Sequence, residues 1–375
     1  MAIIANIAGH VKRLLPEASV ACISGCRGGS ALMPEGVEYL KLPAFVSEET
    51  EHGILMRPYL DISWETLLRI REAWLRSLIA EFDPDVVFVD DTPSGSFGEL
   101  LEVLQEARGY KIFGMRGVED LPERYMRRLQ IEGGVRFICH TYDEVFCFTD
   151  KRVIDVVESY QLQDLEDRFR YCGYLMRPLL GKQGARNKAR MRPDRETRIL
   201  SSVGGDDNFP LLKIIVESKR HLKAKAAMKV YAGMSLSDAK FKTLQRMATP
   251  GVEVHRFTSR HFQEMCESDI YVGMGGYNTL AEILRSGVSS IVIPWQLGED
   301  EQLIHARRLV ELGGVTRCIP PEELTVKALA AALDRIIEGN VRPRNTRLNL
   351  NGGPAAAQRI VEVLPSTKSA KRGKR

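Results

Sequence analysis

Apolar positions along the chain keep two alternating rhythms. Short apolar or β-branched runs at 19–24, 37–42, 86–90, 110–115, 144–148, 199–203, 228–231, 252–257, 269–272 and 289–293 predict strands. Between many of them apolar residues recur at helical spacing. The longest such stretch is 62–82, where Trp64, Leu67, Leu68, Trp74, Leu75, Leu78, Ile79 and Phe82 share one face. Strand and helix in alternation imply a mostly parallel sheet covered by helices on both sides, an α/β fold of the doubly wound type.

The rhythm breaks once. Residues 177–195 carry Gly181, Gly184, Pro178, Pro193 and a density of Lys and Arg with almost no periodicity, after which alternation resumes. This predicts two Rossmann-like domains, 1–176 and 197–350, joined by a linker at 177–196. A crossover helix at 351–364 and a disordered basic tail at 365–375 would follow. Two such domains would face a cleft, and ligands in doubly wound sheets collect beyond the carboxyl ends of the strands. At the start, Ile3, Ile4, Ile7, Val11, Leu14 and Leu15 fall on one helical face, so the chain is expected to open with a helix. A doubly wound domain ordinarily opens with a strand, so a first strand and its loop are expected to be missing.

Composition narrows the function classes. With 44% hydrophobic and 27% charged residues the chain is ordinary globular protein. The net charge of +4 is a tail effect, because the last ten residues hold Lys368, Lys371, Arg372, Lys374 and Arg375 and no acid. The near-neutral remainder argues against a nucleic-acid partner. No run approaches the ~20 apolar residues of a membrane span and no signal peptide is evident, so a cytoplasmic location is expected. Seven scattered cysteines without a C-x-x-C pair fit a reducing compartment and give no metal-ligand spacing.

Candidate chemistry concentrates in strand-to-helix turns. In Y-V-G-M-G-G-Y-N-T-L-A-E-I-L-R (271–285), Gly273, Gly275 and Gly276 precede a helix beginning near Asn278, a ready cradle for phosphate. Glu282, one turn later, can accept hydrogen bonds from both hydroxyls of a ribose. Thr279-x-x-Glu282 is equally a capping box that needs no ligand, and the two readings stand side by side. A second turn, Gly204-Gly205-Asp206-Asp207-Asn208, lies at the equivalent end of the first strand of the same half, although its two acids would repel a diphosphate. A third, 294–302, brings Glu301 and Gln302 to a helix start, where acids are also favoured by the helix dipole.

These three segments in order resemble the donor half of GT-B glycosyltransferases, in particular the family of the peptidoglycan enzyme that transfers N-acetylglucosamine onto lipid I. The resemblance extends through V-D-D-T-P-S-G-S-F-G-E-L (89–100), G-M-R-G-V-E-D (114–120), Y-C-G-Y-L-M-R-P (171–178), S-S-V-G-G-D-D (201–207) and M-G-G-Y-N-T (274–279), the last typical of a bacterial branch of predicted glycosyltransferases. It implies that Glu282 binds the donor ribose and that Gly275, Gly276, Asn278 and Thr279 line the diphosphate. It further implies that Phe257 and Thr258 hold the base, that Arg177 and the Gly204–Gly205 turn meet the phosphates, and that Glu301 and Gln302 hold sugar hydroxyls. Glu301 departs from the family's amide and leaves the sugar open.

The family's opening strand and Gly-His loop have no counterpart here. Gly9-His10 falls inside the first helix, and His10, His140, His255 and His261 are read as structural. On the acceptor side Asp90 and Asp91 are the candidate catalytic carboxylates, with Ser94, Gly95, Arg116 and Asp120 nearby, although turn-forming roles fit Asp and Ser equally. The resemblance thus implies an inverting hexosyltransferase using a UDP-sugar as co-substrate, with no tightly bound cofactor and no metal site. The acceptor would be a glycan, a lipid-linked molecule or a small molecule, and peripheral contact with the inner face of the membrane stays open. A UDP-sugar epimerase of similar fold and a non-catalytic nucleotide-sugar-binding protein are the alternatives.

Overall fold

A computed structural model describes residues 1–50, 53–176, 195–204, 208–295, 300–344 and 346–372. The chain divides into two compact units, Met1–Pro178 together with Asn349–Arg375, and Leu179–Leu348.

The first unit opens with the helix Ala2–Leu14, which buries Ile3, Ile7 and Val11 as its spacing requires. Its strands are β1 (Val20–Ser24), β2 (Val37–Lys41), β3 (Phe45–Thr50), β4 (Gly53–Pro58), β5 (Val86–Asp90), β6 (Tyr110–Met115), β7 (Glu144–Cys147) and β8 (Phe169–Tyr171). Strands β5-β6-β7-β8 form one parallel sheet, β1 and β2 form a separate parallel pair, and β3 with β4 makes an antiparallel hairpin. Among the described residues β1 pairs only with β2 and β5 only with β6. The core is the continuous apolar run of β6 and β7, with Phe113, Met115, Val145 and Cys147 packed against Tyr125, Leu129 and Tyr160. Such runs mark parallel strands covered on both faces.

Helix Trp64–Phe82 starts at Ser63, whose side chain accepts from the Thr66 N–H, and it buries Leu67, Arg71 and Leu75. Its predicted apolar face is only partly core, because Trp74 and Phe82 are each about half exposed. Arg71 instead goes inside, donating to Glu99 from Nε at 2.5 Å and Nη2 at 2.6 Å and to the Pro43 carbonyl from Nη1 at 2.6 Å. The last helix, Gly352–Arg372, belongs to this first unit, anchored where Gly352 N–H donates to Tyr174 O at 2.9 Å. It runs on through Pro365 to Arg372, so most of the tail expected to be disordered is helical in its backbone. One proline removes one ladder bond, and the seven residues after it include no further breaker.

The second unit contains β9 (Thr197–Ser202), β10 (Ala226–Tyr231), β11 (Val252–His255), β12 (Ile270–Gly273), β13 (Ser289–Val292) and β14 (Arg317–Cys318). They form one wholly parallel sheet in the order β11-β10-β9-β12-β13-β14. Helices Phe209–Ser218, Asp238–Met247, His261–Glu267, Tyr277–Ser286, Glu301–Leu312 and Val326–Glu338 alternate with the strands. Ile199, Val230, Val272 and Ile291 fill the centre. The order reverses direction between β9 and β12, the switch point at which such sheets bind ligands.

Candidate active site

The two glycine turns of the second unit lie side by side at this switch point. Ser202 at the end of β9 is in register with Gly273 at the end of β12, and Gly204 N–H donates to Met274 Sδ at 3.5 Å. Each glycine has its own reason. A Cβ on Gly273 would collide with the Tyr271 hydroxyl and the Ser202 carbonyl, and one on Gly275 would press on Val292 and Gln302 at 3.1–3.3 Å. At Gly276 a Cβ would meet nothing among the described residues, so here glycine keeps space in front of a helix. Gly276 is the N-cap of Tyr277–Ser286 and offers no side-chain cap, while Asn278 and Thr279 lie in a first turn that holds no acid. Its backbone N–H groups therefore give an anion-favouring end. Gly205 and Arg177 lie outside the described residues.

The start of this helix removes one of the two readings left open by the spacing of Glu282. The helix is capped by Gly276, which places Thr279 within the first turn, and no capping box forms. Glu282 is 6% exposed and its Oε2 lies 3.0 Å from His261 Nδ1. The other ring nitrogen, Nε2, is 2.8 Å from Ser202 Oγ, which in turn is 2.7 Å from the Tyr271 hydroxyl. His261, read as structural from the sequence, thus links the end of β9 to the acid of the glycine-rich turn. Its partners stand 59 and 21 residues away, so no local spacing marks it.

The loop after β11 presents Phe257, which is 67% exposed. The strand ends at His255, so Phe257 and Thr258 lie beyond it rather than on it. Both flanks of the ring are tethered. Arg256 donates to the Leu236 carbonyl at 2.7 Å, while Thr258 Oγ1 donates to Glu264 at 2.9 Å and accepts from Arg260 N–H at 3.0 Å. Burial alone would raise the Glu264 carboxyl, but hydrogen bonds from Tyr231 and Thr258 and the nearby Lys229 outweigh it and hold the group below its ordinary range. Glu301 is the first residue of its helix, and buried Gln302 accepts from Gly275 N–H at 3.0 Å and Trp295 N–H at 3.4 Å. The carbonyl of Gln302 therefore shapes the glycine turn.

In the first unit the carboxyl ends of β5 and β6 gather a charged cluster. Asp90 ends β5, and its Oδ1 is buried with no hydrogen-bond partner among the described residues. Burial, reinforced by neighbouring Asp91 and offset by the Met1 ammonium and Arg116, pushes its carboxyl up to about 6. Asp91 adopts φ 75°, with its N–H donating to the Gly114 carbonyl at 2.8 Å, and its carboxylate lies 3.5 Å from Arg116 Nε. Glu119, which the sequence did not single out, is pushed up to about 7 by burial and by Asp91, and it accepts from Arg116 N–H and Arg128 at 3.1 and 3.0 Å. Asp120 accepts from Leu121 N–H at 2.7 Å and lies 3.8 Å from Arg124. Ser94 is only 1% exposed, and Gly95 takes φ 73° in the same turn, so both shape the loop. His10 lies inside the first helix against Gly353, and burial followed by Arg13 lowers it to about 4. Among the described residues no group of three or more His, Cys, Asp or Glu is placed to hold a metal ion.

Residues 199–360 match the family model of the glycosyltransferase family 28 C-terminal domain. Over 183 residues the chain is 26% identical to the UDP-N-acetylglucosamine–N-acetylmuramyl-(pentapeptide) pyrophosphoryl-undecaprenol N-acetylglucosamine transferase of Caulobacter vibrioides, a match covering 47% of this chain and 50% of that protein. The chain thus spans half the length of that curated relative. Among solved structures it resembles MurG of Acinetobacter baumannii, with TM-score 0.62, 11% identity and coverage of 97% and 95% of the two chains. A UDP-N-acetylglucosamine 2-epimerase from Listeria monocytogenes is as similar in fold, with TM-score 0.61, 12% identity and coverage of 96% and 91%. The chain has the GT-B fold of these proteins, two Rossmann-like domains.

Proposed function

We propose that the protein transfers a hexose or N-acetylhexosamine from a UDP-sugar to an acceptor hydroxyl with inversion at the anomeric carbon. The observation that carries this reading is the pair of glycine turns set together at the β9–β12 switch point, beside a helix N-terminus without a side-chain cap and a buried acid. In this reading the uracil packs on Phe257, the ribose hydroxyls meet Glu282, and the diphosphate lies against the backbone of Gly204 and Gly275–Thr279. As the acceptor oxygen bonds to the anomeric carbon, the sugar–phosphate bond breaks. The negative charge passes to the leaving diphosphate, where backbone N–H groups and the helix dipole stabilise it. Asp90 is the proposed base that takes the acceptor proton, since its raised carboxyl lies nearer working pH than an ordinary aspartate. Glycans, lipid-linked molecules and small molecules are candidate acceptors, the Caulobacter relative's name pointing to a lipid-linked one. Among the described residues no helix is long and apolar enough to cross a membrane.

A thermal-shift screen of nucleotide sugars identifies the donor, because a ligand bound only by the folded state raises the melting temperature. Carbon-13 NMR of that donor with the protein then separates transfer from epimerisation. The proposal expects no new sugar isomer in the absence of acceptor. Conversion of the donor to an isomeric UDP-sugar would establish the epimerase instead.

A further inference from the structure

His261 is the first residue of the helix His261–Glu267, and its ring bridges two of the elements that build the candidate donor site. Nδ1 faces Glu282 Oε2 at 3.0 Å and Nε2 faces Ser202 Oγ at 2.8 Å. The Tyr271 hydroxyl stands 2.7 Å beyond, and its ring meets the imidazole edge-on, with centroids 6.0 Å apart at 88°. A carboxylate only accepts, so with Glu282 ionised Nδ1–H donates to it. Nε2 then accepts from the Ser202 hydroxyl, and Ser202 accepts from Tyr271. Ser202 ends β9, Tyr271 lies in β12 and Glu282 in the helix Tyr277–Ser286. The relay is therefore pinned by three separate elements that converge on the switch point. Turning Glu282 away would break a hydrogen bond held in place from both sides of the sheet reversal.

We propose that His261 is the positioning residue of the donor site. It holds the Glu282 carboxylate ready for the 2′ and 3′ hydroxyls of a ribonucleoside diphosphate, and so sets the preference for ribose over 2′-deoxyribose. This rests on the reading of Glu282 as the ribose-binding acid. A glutamate free to sample several rotamers loses that freedom on binding, and an acid already fixed does not. The gain is larger for a ligand that carries both hydroxyls than for one that carries the 3′ hydroxyl alone.

The test is calorimetry on the full chain with UDP and with 2′-deoxy-UDP. The wild type is expected to bind UDP at least tenfold more tightly than 2′-deoxy-UDP. His261→Ala should lower that preference at least fivefold, because UDP loses two positioned hydroxyl contacts whereas 2′-deoxy-UDP, which keeps only the 3′ hydroxyl, loses one. His261→Asn, whose amide N–H can stand where Nδ1–H stands, should restore most of it. If His261→Ala keeps the preference while Glu282→Ala abolishes it, or if it weakens both nucleotides equally, the positioning role is overturned and the donor site stands. If Glu282→Ala itself leaves both affinities unchanged, the ribose reading fails and the inference falls with it. Should His261→Ala not fold, Ser202→Ala carries the test by removing one anchor of the ring. A preference lowered at least twofold then supports the role, and an unchanged preference overturns it.

Discussion

At the scale of single residues, Asp90 sets a trade between function and stability. Its carboxyl is raised to about 6, so the folded protein binds this proton more tightly than the unfolded chain does. A group of this sign stabilises the fold at low pH, and that contribution is lost as pH rises from the ordinary aspartate range through about 6. Asp90→Asn removes the buried charge and is expected to raise stability at pH 7, by at most about 3 kcal/mol, measured by urea unfolding. The same variant should lose about 10²–10⁴ in kcat. The wild-type kcat/KM should fall as pH drops through about 6, where the proposed base becomes protonated. A wild-type acid limb that persists in Asp90→Asn would assign it to another group. Residues such as Asp90 were visible in the sequence because they end an apolar run. His261 and Glu119 were not, since their roles arise from partners brought near only by the fold.

At the scale of elements, the glycine-rich turn separates fold from ligand. Gly273 and Gly276 are three residues apart, yet a Cβ on the first would strike Tyr271 and Ser202 while one on the second would enter open space. Gly273→Ala is therefore expected to destabilise the second unit by about 2–3 kcal/mol. Gly276→Ala, at φ −63° and ψ 147°, should cost less than about 1 kcal/mol and mainly weaken UDP binding. Thermal melts with and without UDP distinguish the two, and equal losses of stability would contradict this division. The elements legible in the sequence were those with apolar runs, among them β5, β6, β7, β9 and β12. The hairpin β3–β4 was missed because F-V-S-E-E-T has no apolar face, so its pairing depends on the neighbouring strand. Strands β8 and β14 were missed because they are three and two residues long. The apolar stripe of Trp64–Phe82 was read correctly as a helix, but buried Arg71 and exposed Trp74 show that spacing alone does not say which flank of a stripe is core.

At the scale of the whole molecule, fold class was legible because alternation is a property of the entire chain, and five weak motifs in fixed order are together specific. Charge was uninformative about ligand, since the excess of +4 is concentrated at the C-terminus. What the sequence left even was whether Glu282 caps a helix or reads a ribose. The structure removes the capping box and places the acid against His261 at the sheet reversal. The central claim is that this second unit binds a uridine diphosphate through that acid. Calorimetric titration of UDP into the wild-type protein and into folded Glu282→Ala tests it most directly. The account predicts binding by the wild type and at least a tenfold loss of affinity in the variant, and equal affinity in the two proteins would contradict it.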